Sequence, residues 1–177
     1  EAYRELFLRS QYRKGLSNID LKGKLVLDAM CAFGAQTGLF IEMGADVIGL
    51  DISPENAKIF EKRWNKKCLV SSIHNTKLAD SSIDLVYVGG GLHHVLPILE
   101  ESIREIHRIL KPDGYFCFDE PNKDTWVDKI REIWYKRDKS FGDTEQAISY
   151  NTELIPFIKK LGFKELMYHK IGNVAYI

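Results

Sequence analysis

The sequence lacks the features that mark several specialised classes of protein. No apolar run reaches the roughly 18 residues that a transmembrane helix needs. The first residues also lack the apolar core of a secretory signal peptide. The cysteines Cys31, Cys68 and Cys117 follow no metal-binding spacing, so we predict buried free thiols in a reducing cytosol. These absences predict a cytoplasmic protein that neither enters a membrane nor holds a metal.

The chain also has no excess of charge of either sign. Its 177 residues include 25 Lys and Arg and 25 Asp and Glu, which gives a formal net charge of +0. A general nucleic-acid binder or a polybasic membrane-surface protein would carry a basic excess. The hydrophobic fraction of 45% is instead typical of a globular domain. We therefore expect a single domain over residues 1–177 that acts on a small molecule; nothing in the sequence indicates its oligomeric state.

Short apolar segments alternate with helical segments over much of the chain. After a helix at 3–15, strands are predicted near residues 25–28, 46–51, 68–70, 83–88 and 115–118. Ser53 is expected to cap one of the intervening helices, with Pro54 at its first position. Alternation of this kind is typical of a mostly parallel sheet with helices on both faces. The predicted fold class is therefore α/β, with a doubly wound sheet.

The last part of the chain does not continue this alternation. Residues 124–137 are predicted to be helical, a polar loop follows, and Thr152 is predicted to cap another helix. Residues 163–168 and 174–177 are predicted to form an antiparallel hairpin at the sheet edge. We therefore divide the domain into an N-terminal helix, a cofactor-binding core and a substrate-side C-terminal part, at residues 1–20, 21–121 and 122–177.

Acidic side chains end the first two predicted strands. Asp28 ends the first, and Asp51 stands 23 residues beyond it. In a doubly wound sheet, ligands bind outside the carboxyl ends of the strands, where a carboxylate can accept hydrogen bonds from a ribose diol. The loop between them has Gly34, but Thr37 stands where a dinucleotide fingerprint has its last glycine. The pattern predicts a nucleoside site and disfavours a nicotinamide oxidoreductase.

Five ordered segments carry a more specific signal. They are 27–34 (LDAMCAFG), 48–53 (IGLDIS), 76–84 (TKLADSSID), 92–94 (LHH) and 105–114 (EIHRILKPDG). Together they resemble the motifs of class I S-adenosylmethionine-dependent methyltransferases of the type 11, small-molecule subgroup. The resemblance covers about residues 20–121. It implies a Rossmann-like fold, S-adenosylmethionine as the cofactor and methyl transfer to a small-molecule acceptor.

The resemblance also implies which residues face the cofactor. They are Asp28, Met30, Ala32, Gly34, Asp51, Ile52, Ser72, Ile73 and Gly89. In this assignment Asp28 and the loop after it face the methionine part, and Asp51 holds the ribose hydroxyls. Ile52 packs on adenine, residues 72–73 recognise the adenine amino group, and Gly89 lines the path to the acceptor.

Three of these positions depart from the family pattern. Met30 and Ala32 stand where the family has glycines, which permit positive φ and close backbone approach. Because Met30 is bulky, either the loop has moved or the pocket is altered. Ser72 replaces an acid with a hydroxyl that can still accept one hydrogen bond. A second hypothesis therefore stays open: a methyltransferase-like module without catalysis that binds a partner.

His93 and His94, just after the fourth strand, are the candidate catalytic residues. Methyl transfer is an in-line displacement in which the protein mainly supplies alignment. A neutral imidazole can in addition act as a general base if the acceptor carries a proton of high pKa. The alternative is that one histidine packs structurally and the other lies at the pocket rim.

Aromatic side chains in two segments are candidates for the wall of an acceptor pocket. They are Trp126, Trp134 and Tyr135 after the fifth strand, and Tyr3, Phe7 and Tyr12 in the first helix. The alternative is that the tryptophans form only the buried face of a helix.

Overall fold

Five parallel strands form the central layer of the fold. They are β1 Leu25–Ala29, β2 Asp46–Asp51, β3 Cys68–Val70, β4 Ile83–Gly89 and β5 Leu110–Asp119. The computed structural model describes residues 2–124 and 147–168, and within them the sheet order is β3-β2-β1-β4-β5. Each pair of neighbouring strands is parallel. The predicted α/β fold with a doubly wound sheet is therefore confirmed.

β1 lies at the centre of the sheet and at its topological switch point. It pairs with β2 on one side and with β4 on the other, so that Asp28 is flanked by Gly49 and Tyr87. Val26 and Leu27 point to opposite faces and are both fully buried, which explains the continuous apolar run in the sequence. The carboxyl end of β1 therefore borders the crevice in which doubly wound folds bind ligands.

Helices cover both faces of this sheet. They are α1 Ala2–Gly15, α2 Thr37–Glu42, α3 Pro54–Trp64, a 3-10 helix Leu92–Ile98, α4 Leu99–Ile109, a π-helix Tyr150–Leu154 and α5 Ile155–Lys160. On one face Ile103 and Ile106 of α4 are fully buried in a core that includes Leu27. On the other face Phe40 of α2 and Phe60 of α3 are fully buried with Val26.

Two helix caps were predicted, and the structure confirms one of them. The Ser53 hydroxyl accepts a hydrogen bond from the Asn56 N–H at 3.2 Å, with Pro54 at the first helical position as expected. The cap of the later helical segment is Ser149, whose hydroxyl accepts from the Thr152 N–H at 3.1 Å. The prediction of Thr152 as the cap is wrong, because both residue types can cap and only the local turn decides which hydroxyl meets the free N–H.

β5 begins earlier than the sequence predicts. The strand starts at Leu110, directly after α4, so residues 111–114 lie within it rather than forming a separate turn. The register between β4 and β5 shifts at this point, and Asp113 has a left-handed φ of 61°. A Cβ on Gly114 would lie only 3.1 Å from the Asp84 carbonyl oxygen. Residues 111–114, whose composition is typical of a turn, therefore form an irregularity inside the strand.

Several predictions concern residues that the structure does not describe. Residues 163–168 form no strand, and their expected partner at 174–177 lies outside the described residues, so the hairpin stays a prediction. Also outside the description are the candidate pocket residues Trp126, Trp134 and Tyr135 and the side chains of Tyr3 and Phe7. Among the helices that are described, none has the length and apolar character needed to cross a membrane.

Candidate functional site

The loop after β1 turns sharply at the carboxyl edge of the sheet. Met30, Ala32 and Gly34 have left-handed φ values of 55°, 46° and 75°. The Gly34 N–H donates to the Cys31 carbonyl at 2.7 Å, and the Cys31 N–H donates to the Leu50 carbonyl of β2 at 3.1 Å. A left-handed backbone costs a residue with a side chain about 1–2 kcal/mol. The loop therefore keeps a shape suited to glycine at two positions that lack it.

The Met30 side chain packs across the switch point. A Cβ on Gly91, in the turn after β4, would lie 2.9 Å from the Met30 Sδ atom and 3.0 Å from Val88 Cγ1. Met30 therefore occupies space that the absent side chain of Gly91 leaves between the ends of β1 and β4. Compared with a glycine at position 30, the methionine side chain fills part of this crevice, while the backbone keeps its left-handed conformation.

Asp28 is a buried acid beside this loop. Its carboxylate accepts a hydrogen bond from the hydroxyl of Thr37, the first residue of α2, which is itself fully buried. Burial raises the pKa of Asp28 to about 7, against the lowering effect of the Thr37 hydrogen bond and with a smaller contribution from Asp119. The charge of Asp28 is therefore sensitive to pH near neutrality and to any cation placed beside it.

Asp51 ends β2 and is held by neighbouring polar groups. Its Oδ1 atom accepts from the Ser53 N–H at 2.9 Å and from the Asn56 side-chain amide at 3.1 Å. Its Oδ2 atom accepts from the Ala32 N–H at 2.9 Å. Because a carboxylate offers about four acceptor sites, one site on Oδ2 remains for a ligand. Ala32 thus belongs to the site through its backbone, and Asn56 is a member that sequence reasoning missed.

Large apolar side chains near Asp51 are exposed. Ile52 is 72% exposed, Val70 at the end of β3 is 54% exposed, and Phe33 in the loop after β1 is 49% exposed. All three follow or end strands whose carboxyl ends share one edge of the sheet. Clustered exposed apolar groups commonly mark a binding surface, and this one suits a flat ring.

The two residues predicted to read the adenine amino group differ in accessibility. Ser72 is partly exposed, and its hydroxyl lies 2.7 Å from His74 Nδ1. Ile73 is buried in the core beneath the edge of the sheet. Of the two residues, only Ser72 therefore has exposed surface that a ligand could contact.

A further carboxylate lies at the ends of β4 and β5. Asp119 accepts hydrogen bonds from the hydroxyl of Tyr87 and, at 3.3 Å, from the hydroxyl of Tyr12 in α1. Burial raises the pKa of Asp119 and also that of Tyr87. A Cβ on Gly89 would lie 3.5 Å from Asp119 Oδ1. The residue predicted to line the path to the acceptor is therefore next to this carboxylate.

The candidate histidines lie at the start of the 3-10 helix after β4. His93 Nδ1 is 2.7 Å from Glu120 Oε2, and the side chains of His93 and Glu120 are 11% and 5% exposed. The ring of His94 is exposed and lies 3.9 Å from that of His93, measured between centroids. The His94 N–H donates to the Gly91 carbonyl at 3.1 Å. Both histidines are therefore adjacent to the turn against which Met30 packs.

Sequence reasoning did not include Tyr87, Asp119 or Glu120 among the site residues. Asp119 and Glu120 stand at the carboxyl end of β5, beside β4, and that position was the available signal. The rule that selected Asp28 and Asp51 would have selected them as well.

Two of the three cysteines meet beneath the loop after β1. The Cys31 and Cys68 sulfur atoms are 3.8 Å apart and both residues are buried, whereas Cys117 is only partly buried. All three are free thiols, as predicted. Within the described part of the chain, no group of three or more His, Cys, Asp or Glu residues is placed to hold a metal ion.

Residues 27–118 match the family model described as a methyltransferase domain. The matched segment runs from β1 almost to the end of β5 and contains Asp28, Asp51 and both histidines. The chain belongs to the methyltransferase domain family. The methyltransferase family predicted from the sequence is thereby confirmed, and the small-molecule subgroup stays a prediction.

The chain is similar to curated methyltransferases. It is 29% identical over 153 residues to an uncharacterized methyltransferase from Synechocystis, a match that covers 83% of this chain and 70% of the relative. It is 32% identical over 102 residues to a demethylmenaquinone methyltransferase from Lactobacillus johnsonii, covering 52% of this chain and 41% of that protein. The chain spans about half the length of several further relatives, from 46% to 48%.

The fold is also similar to that of solved methyltransferase structures. A SAM dependent methyltransferase from Archaeoglobus fulgidus superimposes with a TM-score of 0.70 at 22% sequence identity. The match covers 93% of this chain and 74% of that one. At this level of identity the likeness establishes the fold, and the predicted Rossmann-like architecture is confirmed.

Proposed function

We propose that this chain binds S-adenosylmethionine at the carboxyl edge of β1, β2 and β3 and transfers its methyl group to a small-molecule acceptor. When bound, the cofactor supplies an electrophilic methyl group on a sulfonium. One observation carries the proposal: Asp28 and Asp51 flank a loop in which Met30, Ala32 and Gly34 all adopt the left-handed conformation. The cytoplasmic location and the division at residues 1–20, 21–121 and 122–177 stay predictions.

The residues present fit S-adenosylmethionine better than a dinucleotide. The remaining acceptor site of Asp51 suits a ribose hydroxyl, and the exposed Ile52 offers an apolar surface for adenine. A cationic sulfonium or ammonium near Asp28 would favour the charged form of this carboxyl, whereas a pyrophosphate would oppose it. The loop has only Gly34 at the positions where a pyrophosphate site needs several glycines.

The residues at the ends of β4 and β5 would face the acceptor. Gly89 is exposed and lies beside Asp119, and the two histidines follow in the 3-10 helix. His93 or His94 would accept a proton from the acceptor if its nucleophilic atom carries one. A small-molecule acceptor is supported by the net charge of +0 and by a relative that is named for demethylmenaquinone.

A binding module without catalysis is the second candidate. It is favoured by the Met30 sulfur in the crevice at Gly91 and by the three donors that already occupy the Asp51 carboxylate. In that case the exposed apolar edge would contact a partner rather than adenine. The two candidates differ in whether the chain binds the cofactor.

Calorimetric titration with S-adenosylhomocysteine tests the proposal. We expect the wild-type chain to bind, and we expect Asp51→Ala to weaken the affinity at least about tenfold, because a hydrogen bond to a charged group is lost. Asp46→Ala is the matched control: Asp46 lies at the opposite end of β2, where it is exposed and paired with Lys66 at 2.7 Å. It should leave the affinity unchanged.

Asp51→Asn is a milder variant, because its amide oxygen can still accept from one of the two backbone N–H groups that contact Asp51. We expect it to fold and to bind more weakly than wild type. Absence of wild-type binding up to millimolar ligand would overturn the proposed enzyme. Equal affinity in wild type and both Asp51 variants would instead overturn the ribose assignment alone.

A further inference from the structure

The Glu120 carboxylate is contacted by three hydrogen-bond donors at the start of the 3-10 helix. Its Oε1 atom accepts from the Leu92 N–H at 2.6 Å, and its Oε2 atom lies 3.3 Å from the His93 N–H. The same Oε2 atom lies 2.7 Å from His93 Nδ1. The side chain of Glu120 is 5% exposed, so this contact is made away from solvent. One carboxylate therefore fixes both the backbone and the ring of His93.

This contact selects one tautomer of His93. An ionised carboxylate can only accept hydrogen bonds, so the short contact requires Nδ1 to carry the proton. In the neutral ring, Nε2 then keeps its lone pair. Among residues 2–124 and 147–168, His93 makes no side-chain hydrogen bond other than the one to Glu120. The nitrogen that can take up a proton is thus free of protein partners in the described part of the chain.

The position of the pair links it to the proposed acceptor path. His93 follows Gly91, whose missing side chain makes room for Met30 at the end of β1. Glu120 follows Asp119, which lies beside Gly89. The pair therefore stands where β1, β4 and β5 end together. His94 is exposed and its ring contacts His93, but no carboxylate fixes its tautomer in the described structure.

We propose that Glu120 is a positioning residue that holds His93 as the general base, and that the acceptor is methylated at an oxygen or nitrogen atom that carries a proton. The proposal rests on the proposed function and chooses between the two histidines. In the transfer, the acceptor lone pair forms the new bond to the methyl carbon, and the sulfur–methyl bond breaks with its electron pair left on sulfur. The acceptor proton moves to Nε2 of His93 and then to solvent.

A purely structural role for Glu120 is the competing explanation. A carboxylate that only capped the helix would need the two backbone N–H groups and would leave the imidazole tautomer undetermined. The two roles therefore predict different states of the His93 ring. An amide at position 120 can keep one of the two backbone hydrogen bonds through its oxygen, and it can either accept from or donate to Nδ1.

Nitrogen NMR of protein labelled with ¹⁵N-histidine distinguishes the two roles. Spectra are recorded at about pH 8, where an unperturbed imidazole is neutral, with and without saturating S-adenosylhomocysteine. His93→Gln identifies the signals of this ring. We expect wild-type His93 to populate the Nδ1–H tautomer at least about tenfold over the other, and we expect Glu120→Gln to reduce that ratio to about threefold or less.

Two controls accompany the spectra. Glu101→Gln, an exposed acid on α4, should leave the tautomer ratio unchanged, and Glu120→Asp should restore part of the preference. A protonated Nε2 in neutral wild-type His93 would overturn the proposal. So would a ratio that Glu120→Gln leaves unchanged in a folded protein.

An activity measurement then connects the ring to the reaction. With methyl-labelled S-adenosylmethionine and phenols, alcohols and primary amines as probe acceptors, Glu120→Gln and His93→Gln should lower kcat by roughly 10² or more, with the KM for S-adenosylmethionine little changed. Undiminished kcat in His93→Gln would overturn the proposal.

Failure of the wild type to bind S-adenosylhomocysteine counts against the proposed function, whereas a protonated Nε2 in a protein that does bind it counts against the His93–Glu120 pair.

Discussion

The two halves of the sheet's carboxyl edge hold their carboxylates in different ways. The half that is proposed to bind the nucleoside, here the nucleoside half, comprises residues 28–34 and 51–52, and there Asp51 is fixed by groups within 19 positions along the chain. The half that is proposed to face the acceptor, here the acceptor half, comprises Tyr87, Gly90, His93 and residues 119–120. There Asp119 is fixed by the side chain of Tyr87, 32 positions away, and Glu120 by His93, 27 positions away.

The two halves therefore differ in whether the shape of the backbone or the contacts between side chains define the site. In the nucleoside half, a strained backbone and local N–H donors define the site, so steric substitutions should have the largest effects. In the acceptor half, buried hydrogen bonds between side chains define it, so the removal of one donor or one charge should matter more. Asp28, in the central strand, lies between the two halves and feels the charge of Asp119.

The largest effect is expected when the nucleoside half is overfilled by Gly34→Ala. Gly34 has a φ of 75°, and a Cβ there would lie 2.4 Å from Trp64 Nε1 and 2.6 Å from Thr37 Oγ1. Overpacking and a left-handed alanine together should lower the free energy of unfolding by on the order of 2–5 kcal/mol. Urea unfolding followed by circular dichroism measures the loss.

Gly90→Ala is the matched control in the acceptor half. Gly90 also has a left-handed φ, of 62°, but nothing lies within 4 Å of the position of its Cβ. Only the backbone cost of about 1–2 kcal/mol is expected. If both variants lose the same stability, close packing at Gly34 is not what distinguishes the nucleoside half.

The next effect concerns the charge of Asp28 and has a defined pH dependence. Burial raises the pKa of Asp28 from 3.8 to about 7 in the folded chain. A raised carboxyl pKa stabilises the fold below the unfolded value, and that contribution is lost as the pH rises from about 4 through about 7. The shift corresponds to at most on the order of 4 kcal/mol.

Asp28→Asn should therefore be more stable relative to wild type at pH 8 than at pH 5, since the amide can still accept from Thr37 and carries no charge to bury. Urea unfolding at both pH values gives the comparison. Asp20→Asn, at an exposed position, should show no such pH-dependent gain. A gain of the same size at both pH values would argue against a buried, titrating Asp28.

The smallest of these effects is expected in the acceptor half from Tyr87→Phe. This change removes the hydroxyl that donates to the buried Asp119, and a buried acceptor that loses its donor costs about 1–3 kcal/mol. Thermal unfolding of Tyr87→Phe and of Tyr115→Phe, a more exposed tyrosine on β5, tests the assignment. Similar small losses in both variants would show that the Tyr87–Asp119 contact contributes little.

The sequence predicted the nucleoside half more fully than the acceptor half. The sequence pointed to Asp28, Gly34 and Asp51 because they are close in the chain and strand-end acids in a doubly wound sheet have a known use; their roles toward a ligand stay predictions. The contact of His93 with Glu120 could not be found, because it depends on the register that places the end of β5 beside the end of β4.

Local signals alone also failed where two residues could serve equally well. Ser149 and Thr152 are both suitable caps, and only the chain path shows that the hydroxyl of Ser149 meets the N–H of Thr152. Residues 111–114 have the composition of a turn, but they lie inside β5 because Leu110 before them and Tyr115 after them both pair with β4. The cap is decided by the local path of the chain, whereas the placement of residues 111–114 is decided by strand pairing.

By itself the sequence determined the α/β fold, the methyltransferase family and the acids that end β1 and β2, because strand and helix periodicity and short motifs are local properties. Only the tertiary structure decided that Met30 fills the crevice at Gly91 and that Glu120 orients His93. Those contacts join residues far apart in the chain, and their geometry exists only once the parallel strands have aligned their carboxyl ends.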